Sequence, residues 1–393
     1  MTKRVVLLSL LLAAMVSGAQ ERCVVVADAV TREPVVSASL YTKEGGRFRA
    51  AISDEEGVAH VGFSFGRLTV SHLNYERQQV RALPDTIWLR PRYETTAEVV
   101  VTNTEPEWIR RKLREAVRQK ARNYFDRTDT MAFSYDTESI DKKGLYRYHL
   151  TGLMRMRDEK HGLYAIRPDR SVITSSDTTR LTDVANLRRM LSEDFMVELT
   201  RGFISDHRWA EDPDYEGRSR GEVELVFRSK NRTDDRGRLV LDTARCVVLR
   251  AYRFTGTETN RRERMPAVLY AMARVMSGYK VNQWTRYYRV SYGERADGTF
   301  YPREVGYKLY METEDSETDD STTEYDGQTG GGFPNMEATL RIDDSVPSEG
   351  GTNVDDTSWL ELPKSWYLRY GTEESRRREV ELANLPADYE SIE

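Results

Sequence analysis

Thr104-Glu105-Pro106-Glu107-Trp108-Ile109 opens the segment that decides the fold, because from here to Phe125 the chain carries both a helix-start signal and a sustained helical period. Thr104 and Glu107 have the spacing of a capping box, in which a hydroxyl and a carboxylate satisfy free amides of the first turn, and Pro106 is tolerated there. Ile109, Leu113, Ala116, Val117, Ala121 and Tyr124 then fall on one stripe. The other side holds Arg110, Arg111, Lys112, Arg114, Arg118, Lys120 and Arg122, which reads as a solvated face whose last-turn cations suit the helix dipole. A membrane-surface or anionic-ligand site is the competing reading. The helix separates two β-rich regions, so the fold class is mainly β with α.

Upstream, Cys23–Ala27, Ser37–Tyr41, Val58–Phe63, Leu68–Leu73 and Thr86–Leu89 are strand candidates punctuated by turns at 44–46, 54–57 and 83–85. About 70 residues built this way make a small β-sandwich of immunoglobulin or transthyretin type. Downstream the strand candidates are Met131–Tyr135, Tyr146–Met156, Leu163–Ile166, Val223–Arg228, Arg238–Leu241, Cys246–Phe254, Asn282–Tyr292, Tyr301–Met311, Glu337–Ile342 and Trp366–Tyr370. Several alternate, and one large curved antiparallel sheet accommodates them most economically. Two helices interrupt the series: Thr182 caps one carrying Val184, Leu187, Leu191 and Phe195, and Pro266 opens Ala267–Met276. Both carry apolar residues that need a sheet face to cover.

Asp28, Glu33-Pro34-Val35, Ala38-Ser39-Leu40, Ser53-Asp54-Glu55-Glu56-Gly57, Leu68-Thr69-Val70-Ser71 and Asn74-Tyr75-Glu76 together resemble the carboxypeptidase regulatory-like domains of transthyretin-type topology. Members of that family usually carry Gly where Arg32, Ser37 and Asn74 stand, and Asn74 is the replacement best suited to a left-handed turn. The resemblance implies an accessory or adhesive module without catalytic residues. From Glu105 to Glu312 the order of helix, strand pairs, Leu239-Val240-Leu241-Asp242, Cys246-Val247-Val248-Leu249, Tyr292-Gly293-Glu294 and Gly298-Thr299-Phe300-Tyr301-Pro302 is similar to uncharacterised exported bacterial proteins. Their second domain looks like the half-barrel of periplasmic lipoprotein carriers.

The expected organisation is a signal peptide at 1–19, the sandwich at 20–92, a linker at 93–104, an α+β curved-sheet domain at 105–370 and a charged, partly disordered tail at 371–393. Lys3 and Arg4 form the basic region of the signal, Val5–Val16 its apolar core, and Ser17, Gly18 and Ala19 the cleavage site. Glu21 and Arg22 precede Cys23, which argues against a lipid on that cysteine, and no later run is long enough to span a bilayer. The chain is expected to be exported, to the periplasm or cell surface of a Gram-negative bacterium. With 59 basic and 64 acidic residues the formal charge is -5, which disfavours a nucleic-acid role. Its two cysteines, Cys23 and Cys246, are read as buried free thiols or as a cross-domain disulfide.

Chemistry-bearing motifs are few. The histidines, His60, His72, His149, His161 and His207, form no zinc-ligand pair, and there is no nucleophile elbow, phosphate loop or dinucleotide fingerprint. The acidic stretch Glu312–Asp326, inside an acidic and Gly-rich loop at 312–335, lacks the ligand spacing of a calcium loop. No cofactor, metal or catalytic residue is assigned. Trp284, Tyr287, Tyr288 and Tyr292 with Trp359, Trp366 and Tyr367 read as strand filling, with a sugar or lipid surface as the alternative. Thr86, Thr130, Thr178, Thr243, Ser321 and Ser345 each follow an Asp in a pattern resembling the acceptor sites of a bacterial O-glycosylation system; an Asp/Thr turn is the plainer reading of each. The functional expectation is a non-enzymatic envelope protein that binds an apolar, lipid-like ligand or a partner protein through its second domain. A glycan or peptide hydrolase with an acid pair hidden from the sequence is the alternative.

Overall fold

The computed structural model describes residues 22–44, 47–91, 105–124, 130–141, 144–155, 164–175, 177–192, 194–213, 215–264, 280–314, 335–343, 359–362 and 373–391. The signal at 1–19, the linker at 93–104, His161, the helix at 266–276, the 315–334 part of the acidic loop and the strand at 366–370 lie outside the described residues. The expected capping box of Thr104 and Glu107 does not form, since the helix begins at Glu107 with Pro106 at its N-cap and no side-chain cap bond. The chain divides into two compact units, Met1–Thr95 and Thr96–Glu393.

Among its described residues unit 1 has seven strands: β1 Arg22–Asp28, β2 Ser39–Glu44, β3 Arg47–Ile52, β4 Val58–Val61, β5 Leu68–Ser71, β6 Gln78–Val80 and β7 Thr86–Leu89. They form two sheets, β4-β1-β7 and β3-β2-β5-β6, with β1 and β7 parallel. Val24, Val26, Ile87 and Leu89 from one sheet share a core with Leu40 and Val70 from the other, which makes the pair a sandwich. β6 escapes the sequence reading because two glutamines in three residues give no apolar alternation.

The left-handed positions differ from those expected. Arg32 (φ 64°) and Ser37 (φ 61°) adopt that backbone, whereas Asn74 does not. The turn at Asn74 is closed by other means: its amide donates to His72 Nδ1 at 3.2 Å and the Tyr75 amide to the His72 carbonyl at 3.0 Å. A non-glycine residue in the left-handed region costs about 1 kcal/mol, and at Arg32 the guanidinium, 4.4 Å above the Trp88 ring, offsets part of it.

Unit 2 carries β8 Thr130–Asp141, β9 Gly144–Arg155, β10 Tyr164–Ser175, β11 His207–Glu211, β12 Glu222–Ser229, β13 Asp235–Asp242, β14 Val247–Thr255, β15 Lys280–Glu294, β16 Phe300–Glu314, β17 Asn335–Asp343, β18 Leu360–Leu362 and β19 Asp388–Glu390. Its helices are α1 Glu107–Asn123, α2 Ala185–Ser192, α3 Phe195–Glu198, α4 Arg201–Asp206, α5 Thr257–Arg264 and α6 Glu373–Ala383. All twelve strands join one sheet in the order β11-β12-β13-β14-β15-β16-β17-β8-β9-β10-β18, with β19 alongside β10. Ile109, Leu113 and Ala116 of α1, Leu187, Met190 and Leu191 of α2, Phe195 of α3 and Ile204 of α4 enter one core with the apolar side of the sheet. The chain is therefore mainly β with α, as its alternation predicts.

Several expectations need correction. The helix after Thr182 stops at Ser192 and restarts as the separate four-residue α3, so Phe195 belongs to a different helix from Leu187. Thr182 does not cap α2; its hydroxyl donates to the Leu382 and Ala383 carbonyls at the end of α6. The basic side of α1 is not uniformly solvated. Arg110 donates to the carbonyls of Ile204 (2.6 Å) and His207 (2.9 Å), where α4 runs into β11, and Lys112 to that of Thr243 (2.6 Å), in the turn between β13 and β14. The acidic stretch begins inside β16, which runs through Glu314. The residues from Gly371 onward are not simply a charged tail: α6 buries Leu382 in the core and β19 pairs in parallel with β10. Charge dominates that sequence, yet Leu382, with Leu385 and Ala387 packed beside it, anchors it to the core.

Candidate functional site

The helix-covered side of the sheet is the candidate site, and its make-up follows from register. In antiparallel pairs, residues directly opposite share a face. Leu225, Leu239, Ala251 and Val290 on β12–β15 are followed in line by Val305, Leu340, Tyr135 and Leu150 on β16, β17, β8 and β9. This apolar row crosses eight strands. The rows beside it change character part-way across.

On β13–β15 they are ionic. The Arg253 guanidinium donates to both carboxylate oxygens of Asp235 (3.0 and 2.9 Å), to Glu198 (2.9 Å) and to Glu263 (2.8 Å). Arg286 donates to Glu198 through two nitrogens at 3.1 Å and to the Thr255 hydroxyl at 3.2 Å. His207 stacks on Phe203 with ring centroids 4.0 Å apart, and both its nitrogens face acceptors, the Phe203 carbonyl at 2.7 Å and Asp235 at 3.2 Å. Burial alone would raise the Asp235 carboxyl; the bonds from His207 and Arg253 more than offset it and hold it well below the usual carboxylate range. Burial opposes the charge on Arg253 too, and Glu198 with Asp235 overcomes it. Gly237, opposite Arg253 in the register, keeps the row open, since a Cβ there would strike the Tyr252 carbonyl and the Phe227 ring.

On β8–β10 the same rows carry hydroxyls. Thr137 lies opposite Tyr148, and Ser139 opposite Tyr146. Ser171 donates to Tyr148 at 3.1 Å, and Tyr146 to the Leu181 carbonyl at 2.7 Å. Tyr135 Oη, Thr137 Oγ1 and Ser139 Oγ are buried without a hydrogen-bond partner. Each such group costs about 1–3 kcal/mol. Over them lies Asp183, bonded to Asn186 at 2.7 Å; its charge adds to the burial that pushes the Tyr135 and Tyr146 hydroxyls upward. The segment from Leu181 to α2 is tied down by Thr182, whose amide also donates to Ala383 at 3.0 Å, and by Arg188, which donates to the Leu362 carbonyl.

One more carboxyl stands at the boundary. Asp194 precedes α3 and accepts from the Tyr292 hydroxyl, with Tyr124 edge-on to Tyr292 at 5.1 Å. Burial pushes Asp194 up to about 6, against the bonds from Tyr292 and the Met196 amide that pull it down. A raised carboxyl near an ionised one is an acid pair only if both face a substrate space. Glu198, the neighbouring ionised carboxylate, is committed to Arg253 and Arg286. Among the described residues, no three His, Cys, Asp or Glu side chains gather as a metal-binding group.

The residues singled out in the sequence fall elsewhere or only partly here. Trp284, Tyr288 and Tyr292 are buried in this core, while Tyr287 packs against Phe254 at 4.8 Å and Trp359 lies under Arg155 at 4.0 Å. Trp366 and Tyr367 lie outside the described residues. Thr86 and Thr130 are half-buried strand residues, and Thr178 is exposed. The Thr243 hydroxyl donates to the Gly221 carbonyl at 2.8 Å. Asp177 and Asp242 accept from amides two residues on, the geometry of an Asx turn, and Ser321 and Ser345 are outside the described residues. Both cysteines are free, Cys23 exposed beside His60 and Cys246 buried. Missed in the sequence were Asp235 and Arg253, brought together by the β13–β14 register, Glu198, brought to them by the packing of α3 on the sheet, and Tyr135, Thr137 and Ser139, whose every-other-residue spacing is the one visible signal.

No known family's sequence profile matches the chain, and no curated protein matches it. Solved structures similar to it include a domain of an outer membrane lipoprotein-sorting protein from Vibrio parahaemolyticus, at 11% identity over 59% of this chain and 90% of that one, with a TM-score of 0.22. A LolA superfamily protein from Nitrosomonas europaea aligns at 10% identity over 59% and 91%, TM-score 0.21. A DUF1329 family protein from Desulfovibrio piger aligns at 10% identity over 61% and 92%, TM-score 0.25. Scores this low carry no argument about fold or function. No helix among the described residues is long and apolar enough to cross a membrane.

Proposed function

We propose that this chain is a non-enzymatic cell-envelope protein whose second unit receives an apolar, chain-like ligand on the helix-covered side of its sheet. The observation that carries the reading is the apolar row from Leu225 to Leu150 beneath helices of only eight, four and six residues. Isolated helices shorter than about 12 residues do not persist in water. Their order comes from the row they cover, and an acyl chain offers that row the same burial at about 25 cal/mol per Å². The commitment of Glu198 and Asp235 to arginines supports a binding role over hydrolysis. Unit 1 is read as an accessory sandwich of the carboxypeptidase regulatory-like kind, and export rests on the signal pattern from Lys3 to Ala19.

The test is titration of the full chain with 1-N-phenylnaphthylamine, a dye that brightens in apolar surroundings, followed by palmitate. Saturable brightening reversed by palmitate is expected. Failure of the dye to saturate overturns the reading. Brightening reversed by an amphipathic peptide and not by palmitate assigns the same face to a partner protein.

A further inference from the structure

We propose that Tyr135, Thr137 and Ser139 form the head-group end of this ligand site and that the group they take is neutral and polyhydroxylated, a glycosyl or glycerol head on an apolar chain. The inference rests on the binding role proposed above and adds the chemistry of the ligand's polar end.

Three successive inward positions of β8 carry hydroxyls that are 0%, 4% and 3% exposed, and none of the three hydroxyl oxygens has a partner. The next row position beyond Tyr135 is apolar on both flanking strands, Leu340 on β17 and Leu150 on β9. A chain lying along the apolar row therefore reaches this cluster at one end. Hydroxyls both donate and accept, so they pair with other hydroxyls without a net charge. An anionic head would meet the Asp183 carboxyl, whose charge already acts on Tyr135, Tyr146 and Tyr148. Arg180, immediately before the covering segment, is engaged by Asp177 at 3.8 Å and by the Tyr146 ring at 5.8 Å. Arg253 and Arg286 belong to the strands on the far side of β16 and are held by Glu198, Asp235 and Glu263. The site is thus built for a neutral hydrogen-bonding group.

Reaching it requires the segment Leu181–Val184 to lift. The ties that hold it include the Tyr146 hydroxyl on the Leu181 carbonyl, and Thr182 on the carbonyls that end α6. When the segment lifts, the hydroxyls gain the partners that the closed arrangement denies them.

The experiment compares dodecyl maltoside with dodecanoate, both below their micelle-forming concentrations, by isothermal titration of the full chain. The wild type is expected to bind the maltoside about tenfold more tightly, and the double variant Thr137→Val/Ser139→Ala to lose that preference while keeping its affinity for dodecanoate. Tyr135→Phe, which changes no packing volume at the ring, is expected to shift the same ratio in the same direction. Equal affinities in the wild type, or a preference that survives all three changes, overturns this inference and leaves the apolar binding role standing. If neither amphiphile binds, the binding role fails and this inference with it.

Discussion

The two ends of one sheet face solve the same problem in opposite ways. On β13–β15, charged groups are sealed in the core and almost every one is answered: Arg253 alone makes bonds to three carboxylates. On β8–β10, neutral hydroxyls are sealed in the same core, and three go unanswered. The ionic end is a clamp that fixes α3 and α4 against the sheet, because removing any member leaves an uncompensated buried charge. The hydroxyl end is covered by a segment tied to the end of α6 through Thr182 and to the sheet through Tyr146. Rigidity and readiness to open are thus divided along a single face.

The contrast is broken most severely by Arg253→Met, which leaves Asp235 and Glu198 without their main partner. Loss of about 3–5 kcal/mol in urea denaturation is expected, and a loss below 1 kcal/mol would show that the clamp is dispensable. The two displaced carboxyls give opposite pH signatures. Asp235 is depressed, so its contribution is present above its unfolded value near 4 and is lost as pH falls toward its lower folded value. Asp194 is raised to about 6, so the folded state holds its proton more tightly and stability falls as pH rises from about 4 to about 6.

Asp194→Asn keeps the acceptor for Tyr292 and removes the charge. After discounting for the half-buried position, it is expected to stabilise the chain by about 1–2 kcal/mol at pH 7.5 and to leave stability unchanged at pH 4. Denaturation curves at the two pH values decide it; an equal gain at both would assign the effect to packing.

Thr182→Val removes the hydroxyl bonds to the end of α6 at a cost of about 1 kcal/mol. Hydrogen exchange in Glu373–Ala383 is expected to quicken before exchange in β13–β15 does; uniform quickening would mean that the two ends open together. The smallest effect is expected from Thr137→Val, which replaces an unanswered hydroxyl by a methyl of the same shape. It should stabilise the unliganded chain by about 0.5–1 kcal/mol, and a measurable loss instead would mean that the hydroxyl has a partner.

Much of this architecture is written in local pattern. The Ile109–Leu113–Ala116 stripe specifies α1, and the alternation of Met131, Phe133 and Tyr135 with Ala132 and Ser134 specifies β8 and its inward side. The site is less legible because its partners meet through pairings that no local pattern encodes. Asp235 reaches Arg253 through the β13–β14 register, and Glu198 reaches Arg286 from a helix 88 residues away in sequence. Arg110 and Lys112 read as solvated because a carbonyl acceptor at the end of α4 or in the β13–β14 turn leaves no mark in the sequence. The segment after Gly371 reads as charged and partly disordered because its few apolar residues, Leu382, Leu385 and Ala387 among them, are scattered among charges.

The strand order also divides the cost of closure. β8 pairs with β9 at once, but its other neighbour, β17, begins at Asn335, and the carbonyls that tether Thr182 belong to Leu382 and Ala383. Loop-closure entropy is thus met for the longest separations at the hydroxyl end, while β11–β16 zip up through consecutive neighbours. The part of the sheet proposed to meet the ligand is the part whose contacts span the longest sequence separations, so its closure costs the most loop entropy.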